Sequence, residues 1–428
     1  MRFFVILQIA TAATALPFVM AEDIKPWACS GLLFPPALLQ GGILPLILHH
    51  TAPRALSPGA SVTGPYAIYT IGSACGAGFA GFIGLRFFSY ETCTFIAVGL
   101  AVATGLAAIA VDRACSAHEA ETKTNVAAPR DANAPLPGRL LLFAFLSGFL
   151  LLALQVLWTR MLALISDNSV YAFALVLILF LIGLALASFI AGRKPPNIRM
   201  ALALGGLVTA LMPWLLFQLT GKLTPLSFEP GWPAFLLKLT ALSAAVTLPP
   251  VLLLGLVFPW LLTECSALQK PFGRLIAVNT LGAVAGSWGA GFILLDRFGL
   301  WPSIYLIALL ALFATMPAKE VKLPRVLGFA AVLIFSFLVK VPVQAPATLA
   351  PGEEVVETVE NSHGILTVVQ SRDDVQLRMN NGYTLGSTRG GQTSASCTIL
   401  PDFVVECVGN SVVGEHVVAL LFWRFSTC

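Results

Sequence analysis

The sequence predicts an all-α polytopic membrane protein made of two repeated helical bundles, the first incomplete, followed by a small β-meander. Three observations carry this. Of 428 residues, 57% are hydrophobic and only 11% charged, against about 25% charged in an ordinary soluble domain. About ten apolar stretches are each long enough to cross a hydrocarbon core of about 30 Å at 1.5 Å per residue. Landmarks of the early stretches recur, in order, in the later ones.

Residues 1–111 form the first bundle, with stretches near 3–20, 32–49, 66–85 and 92–111. Residues 3–20 fit either a span or a signal peptide with Val19-Met20-Ala21 as its cleavage site; the single arginine of the charged region favours a span. Residues 112–138 are polar, rich in Ala, Pro and charge, and read as a solvated linker. The second bundle, 139–341, holds stretches near 140–163, 169–191, 200–219, 236–262, 275–295 and 300–316. An eleventh stretch, Val326 to Val339, is apolar but short, and either spans or lies in the interface.

The repeat rests on matched residues. Leu33-Phe34-Pro35-Pro36 with Pro45 recurs as Leu248-Pro249-Pro250 with Pro259. Thr70-Ile71-Gly72 through Gly76 to Ala80-Gly81-Phe82 recurs as Thr280-Leu281-Gly282 through Gly286 to Ala290-Gly291-Phe292. Leu16-Pro17-Phe18 matches Met212-Pro213-Trp214, so the first half begins at its third helix. Repeated halves are how many transporters are built.

After residue 341 the pattern changes. Val375, Leu377 and Met379 alternate with Gln376, Arg378 and Asn380, the period of a half-buried strand; Gly364 to Gln370 is a second strand, and Asn381-Gly382 a hairpin dipeptide. These predict a β-meander at about 355–388 within a segment 342–388, followed by an atypical tail, 389–428.

If every stretch through 300–316 spans, fourteen Lys and Arg fall on one side and six on the other. The positive-inside rule makes the first side cytoplasmic and the expected location a multi-pass inner membrane. The tail then faces the cytoplasm only if 326–339 fails to span. The lipid bilayer is the expected partner, and a net charge of +4 is too small a surplus to suggest nucleic acid. Eight scattered cysteines without C-x-x-C, and His49-His50 without carboxylate or thiol company, predict neither metal nor disulfide framework.

Asp112, Asp167, Glu229, Glu264 and Asp296 all fall at stretch ends, which argues against a proton relay or an acid-lined polyamine pore. The intramembrane polar candidates are Gln155, Trp158 and Arg160 in Leu154-Gln155-Val156-Leu157-Trp158-Thr159-Arg160, and Asn279-Thr280, with Gln40 and Gln218 secondary. Interhelical hydrogen bonding accounts for the amides, and interface anchoring for Trp158 and Arg160. Gly76-Ala77-Gly78-Phe79-Ala80-Gly81 fits G-x-G-x-x-G, but no strand precedes it. Gly72 and Gly76, like Gly282 and Gly286, read instead as small residues for close helix packing. No catalytic, cofactor-binding or metal-binding residue is predicted.

Ser147-Gly148-Phe149 leading to Gln155 through Arg160, then Ser169-Val170-Tyr171-Ala172-Phe173, then Gly273-Arg274-Leu275 through Asn279-Thr280-Leu281-Gly282-Ala283, resemble the membrane region of bacterial spermidine synthase-like proteins. The resemblance covers roughly residues 30–390. It implies a major-facilitator-like bundle fused ahead of an aminopropyltransferase domain. Ser362-His363-Gly364-Ile365-Leu366-Thr367 is similar to that domain's opening strand, and Asn380 through Tyr383-Thr384-Leu385-Gly386 to its next hairpin. Thr384 stands where the family usually has a glutamine. Residues 389–428 hold no glycine-rich loop, and forty residues are too few for a doubly wound domain, so a truncated or frameshifted gene is expected, or else a different natural ending. The resemblance therefore implies a link to polyamine metabolism with catalysis missing from this chain. A transporter of a small, uncharged or anionic solute and a structural membrane anchor are the competing expectations.

Overall fold

The computed structural model describes residues 2–19, 26–51, 60–119, 135–166, 170–226, 231–268, 270, 272–315, 330, 332, 334, 349–361, 364–372, 374–380 and 383–387. The first helices are α1 (Arg2–Val19), α2 (Pro26–Gly41), α3 (Ile43–Thr51) and α4 (Ala60–Gly78). A π-helical stretch, Phe79–Gly84, joins α4 to the short α5 (Leu85–Phe87), and α6 (Tyr90–Glu119) follows. Next come α7 (Gly138–Ser166), α8 (Val170–Arg193), α9 (Ile198–Leu219), α10 (Trp232–Gly255), α11 (Val257–Ala267) and α12 (Phe272–Trp288). A second π-helical stretch, Gly289–Leu294, leads into α13 (Leu295–Phe298), and α14 (Leu300–Phe313) follows.

Among the described residues eight helical segments are long and apolar enough to cross a membrane, and two shorter apolar helices, Phe3–Pro17 and Leu300–Phe313, fall in the other expected stretches. Three boundaries differ from expectation. The stretches expected at 32–49 and 236–262 are each broken, at Gly42 and Leu256. Each break lies three residues before a proline, Pro45 and Pro259; proline lacks an N–H and its ring crowds the carbonyl four residues back, here Gly41 and Gly255, which ends the ladder there, while the Pro-Pro pairs Pro35-Pro36 and Pro249-Pro250 lie inside the preceding helices. Helix α6 runs on to Glu119, into the expected polar linker. The rest of the linker at 120–134 and the tail from 388 lie outside the described residues.

The two π-helical stretches begin at Phe79 and Gly289, and 289 − 79 gives the same spacing of 210 that separates Thr70 from Thr280. Pro17 in α1 and Pro213 in α9 are another matched pair. None of the recurring sequence landmarks falls in α7 or α8. Helix α7 is the hub: Ala153, Leu154, Leu157, Trp158 and Met161 are fully buried, and it packs against α8, α10, α11, α12 and α14.

The C-terminal sheet is an antiparallel meander in the order β1 (Glu354–Asn361), β2 (Gly364–Ser371), β3 (Asp374–Met379), β4 (Tyr383–Ser387). Strand β1 adds to the strands expected from alternation, and Asn381-Gly382 lie outside the described residues. Asn380, at φ +49, follows β3 and ties it back to β2: its Oδ1 accepts from the Ile365 N–H at 3.0 Å and its own N–H donates to the Ile365 carbonyl at 2.9 Å.

The sheet is fastened to one end of the bundle. Glu360 Oε2 accepts the Leu300 N–H at 2.6 Å, at the start of α14, whose N-cap Gly299 offers no side chain of its own. A carboxylate there meets an N–H without an intrahelical partner and the positive end of the helix dipole. Gly299 is suited to the place, since its φ is +76 and a Cβ on it would press against the Glu360 carboxylate. Phe313 lies at the other end of α14, about 21 Å away for 14 residues, and most of the chain between Phe313 and β1, including most of the stretch 326–339, lies outside the described residues. Within that connection Ala330, Val332 and Ile334 are helical, and Val332 joins the main core.

Burial pushes the Glu360 carboxyl above the ordinary glutamate range, and the Leu300 hydrogen bond pulls it partly back. Because the folded value lies above the unfolded one, this group's contribution is fully present below the unfolded value of about 4.3 and is lost as pH rises through the raised value. Amide-exchange protection of β1 is therefore expected to be stronger in mild acid than at neutral pH. Glu360→Gln, which keeps an acceptor and removes the charge, is expected to hold the acid-level protection at neutral pH. Equal protection of the unmodified chain at both pH values would contradict this.

Candidate functional site at the α7–α12 crossing

Helices α7 and α12 approach to backbone contact, and three glycines make it possible. A Cβ on Gly282 would collide with the Phe145 carbonyl, one on Gly286 with the Phe149 carbonyl, and one on Gly148 with the Asn279 carbonyl. Small residues on facing helices let the backbones close in this way.

The glycines at the matched positions of α4 behave differently. Gly72 and Gly76 are exposed and a Cβ on either would meet nothing within 4 Å. Helix α4 packs instead through its other side, against α8: a Cβ on Gly81 would collide with that of Ala174, and Ser188 Oγ donates to the Thr63 carbonyl at 2.8 Å.

Trp158 is fully buried rather than placed at an interface. Its Nε1–H donates to the Val246 carbonyl on α10 at 3.0 Å. Pro250, four residues on, cannot supply the N–H that would normally take that carbonyl, so the indole fills the gap left in the α10 ladder. Arg160 is half-buried and within electrostatic reach of Asp296 on α13. Gln155 is half-buried, and its backbone carbonyl accepts from Thr159 Oγ1 at 2.9 Å. Thr280 is exposed and its hydroxyl donates back to Ile276 of its own helix at 3.0 Å.

Asn279 Oδ1 is buried at the crossing without a hydrogen-bond partner among the described residues. The same holds for Ser147 Oγ, next to Gly148, and for Ser243 Oγ and Thr247 Oγ1 on α10 and Trp301 Nε1 and Tyr305 Oη on α14. Ser243 and Thr247 are four residues apart, as are Trp301 and Tyr305, so each pair shares a helix face. Isolated Ser and Thr within apolar runs gave no sequence signal that distinguished them from the many hydroxyls that bond back into their own helix, as Thr209 does to Gly205. Leaving such groups buried and unpaired costs on the order of 1–3 kcal/mol each. No group of three or more His, Cys, Asp or Glu is placed to hold a metal among the described residues.

Comparison of the chain with protein-family models, with curated proteins and with solved structures finds no match in any of the three.

Proposed function

We propose that the chain is a multi-pass inner-membrane transporter of a small solute without positive charge, its two helix sets being copies of one bundle related by an axis along the membrane normal. The observation that carries this reading is the pair of broken helices at matched positions, α2/α3 and α10/α11. Interrupted helices in corresponding places of two repeats are where transporters build their binding sites, near the midplane. The buried atoms without hydrogen-bond partners among the described residues, Asn279 Oδ1, Ser243 Oγ, Thr247 Oγ1 and Tyr305 Oη, belong to neutral hydrogen-bonding groups. They suit a polar, uncharged or anionic cargo better than a cation.

A second reading is favoured by the sheet: the chain is the membrane portion of a spermidine synthase-like fusion, linked to polyamine metabolism, with β1–β4 as the opening of the aminopropyltransferase part. The turn that Glu360 holds lies beside Arg297, on the side that carries six of the twenty counted cations. On the membrane reading the sheet is therefore extracytoplasmic.

The test is flux into vesicles reconstituted with the purified chain, using sugars, neutral amino acids and small carboxylates as a panel. At least one class is expected to enter faster than into protein-free vesicles. Thr247→Val and Asn279→Leu are each expected to cut that flux on the order of tenfold, the worth of one hydrogen bond near 1.4 kcal/mol. Folded yield is expected to stay unchanged, because replacing an unpaired buried polar group by an apolar one of similar shape is close to neutral. Uptake at the protein-free rate across the panel would refute transport, and flux that falls only in step with folded protein would return both residues to packing.

A further inference from the structure

Four of the buried polar atoms without hydrogen-bond partners among the described residues belong to two helices: Ser243 Oγ and Thr247 Oγ1 to α10, Trp301 Nε1 and Tyr305 Oη to α14. Each of these residues is more than nine-tenths buried. Helices α10 and α14 both pack against α7 and against α9, so the four helices close a ring. Two adjacent glycines of α9 set its register: a Cβ on Gly205 would meet Leu254 of α10, and one on Gly206 would meet Leu312 of α14. Thr247 and Ser243 stand seven and eleven residues before Leu254, and Tyr305 and Trp301 stand seven and eleven before Leu312. Such offsets return to one helix face, so both polar pairs lie on faces turned toward α9. The two helices also run the same way. Leu226, just ahead of α10, donates its N–H to the Ile165 carbonyl near the end of α7 at 2.8 Å, so α10 runs against α7. Helix α12 runs with α7, Gly282 at Phe145 and Gly286 at Phe149, before the chain turns back at Gly299 into α14. Thr247 and Tyr305 therefore share one level, about 10 Å from the α9 glycines, and Ser243 and Trp301 the next, about 6 Å further.

We infer that these four groups form one binding site for a small neutral polyol. The inference narrows the transport reading above and rests on it for the way in: the four atoms are shut off from solvent, so the ring parts to admit a ligand, as alternating access requires. The donor set fixes the chemical class. The Trp301 indole N–H only donates, whereas the three hydroxyls both donate and accept. Ligand hydroxyls, which also do both, can answer all four. Charge is excluded by the surroundings. Helix α14 carries no charged residue, Arg139 of α7, Arg199 of α9 and Lys238 of α10 are exposed, and Arg160 of α7 is half-buried within reach of Asp296. A carboxylate or ammonium brought between the two pairs would lose its water with no opposite charge to meet it. Neighbouring hydroxyls that lack this task bond back into their own helices, Thr209 to the Gly205 carbonyl at 2.7 Å and Ser303 to the Gly299 carbonyl at 2.5 Å. Trp158, whose indole donates to the Val246 carbonyl next to Thr247, brings an aromatic ring to the same level for the C–H face of the ligand.

The test reads binding and not flux. The full chain is purified in detergent with isotope-labelled tryptophan, and the magnetic resonance signals of its indole N–H groups are followed. Trp301→Phe identifies the Trp301 signal, and Trp288→Phe that of the exposed Trp288, which serves as reference. Xylitol is expected to move the Trp301 signal saturably and to leave Trp288 in place, while propionate and alanine at the same concentration move neither. Ser243→Ala and Thr247→Val are each expected to raise the xylitol midpoint on the order of tenfold, the worth of one hydrogen bond. Thr247→Ser, which keeps the hydroxyl, is expected to restore it. No saturable movement with xylitol, as water alone at the site would give, an equal movement with propionate, or unchanged midpoints in both Ser243→Ala and Thr247→Val would each overturn the inference. Xylitol binding without xylitol uptake into vesicles would leave the site standing and sink the transport reading; uptake of any solute of the vesicle panel beside an unmoved Trp301 signal would do the reverse.

Discussion

Gly286→Leu is expected to prevent the chain from accumulating as a folded bundle, whereas Gly76→Leu, at the matched position, is expected to leave its own fold intact. At Gly286 a side chain would enter the space of the Phe149 backbone, at its carbonyl and Cα. Backbone cannot rotate aside as a flexible side chain can. Overpacking a well-packed site ordinarily costs about 1–3 kcal/mol, and here the relief is to part α7 from α12, which would also strip cover from the buried Asn279 and Ser147. Parting the two helices costs well beyond that ordinary range, a large fraction of a total stability of about 5–15 kcal/mol. At Gly76 the added side chain meets nothing in this chain. The measurement is the yield of monodisperse detergent-solubilised protein and its thermal midpoint for the two variants side by side. Similar behaviour of the two, in either direction, would show that the crossing at α7–α12 does not hold the bundle as described.

That contrast also shows what the sequence could and could not reveal. The apolar stretches, Pro45 and Pro259 just past the breaks, and the glycine ladders are local features, and the helices and their breaks follow from them. The ladders of α4 and α12 share one spacing, Gly72-Gly76-Ala80 and Gly282-Gly286-Ala290, yet one is packed and the other open. What separates them is which helix lies alongside, a nonlocal fact decided by α7 and α8. The sheet was partly legible because period-2 alternation is local, while its attachment through Glu360 to Leu300 joins residues 60 apart in the chain. Trp158 was the plainest departure: an aromatic followed by an arginine near a helix end has the look of an interface anchor. Its burial depends on a carbonyl 88 residues away.

The Trp158–Pro250 relation gives the second large effect. Trp158→Phe keeps most of the ring volume but leaves the buried Val246 carbonyl without a donor, and an orphaned buried acceptor costs about 1–3 kcal/mol. Pro250→Ala restores an N–H four residues beyond Val246, in position to close the helical ladder onto the same carbonyl. In the presence of Trp158 that new donor is redundant; in the Trp158→Phe background it supplies the missing bond. The double variant is therefore expected to be more stable than the sum of the two single changes predicts, by at least about 1 kcal/mol, within the range seen for residues that share a partner. A term for the smaller ring is common to both backgrounds and cancels in the cycle. Reversible unfolding in mixed detergent micelles, followed by far-ultraviolet circular dichroism, measures the four stabilities. Strict additivity would mean that the indole merely fills space, whereas positive coupling would tie Trp158 to the carbonyl that Pro250 releases.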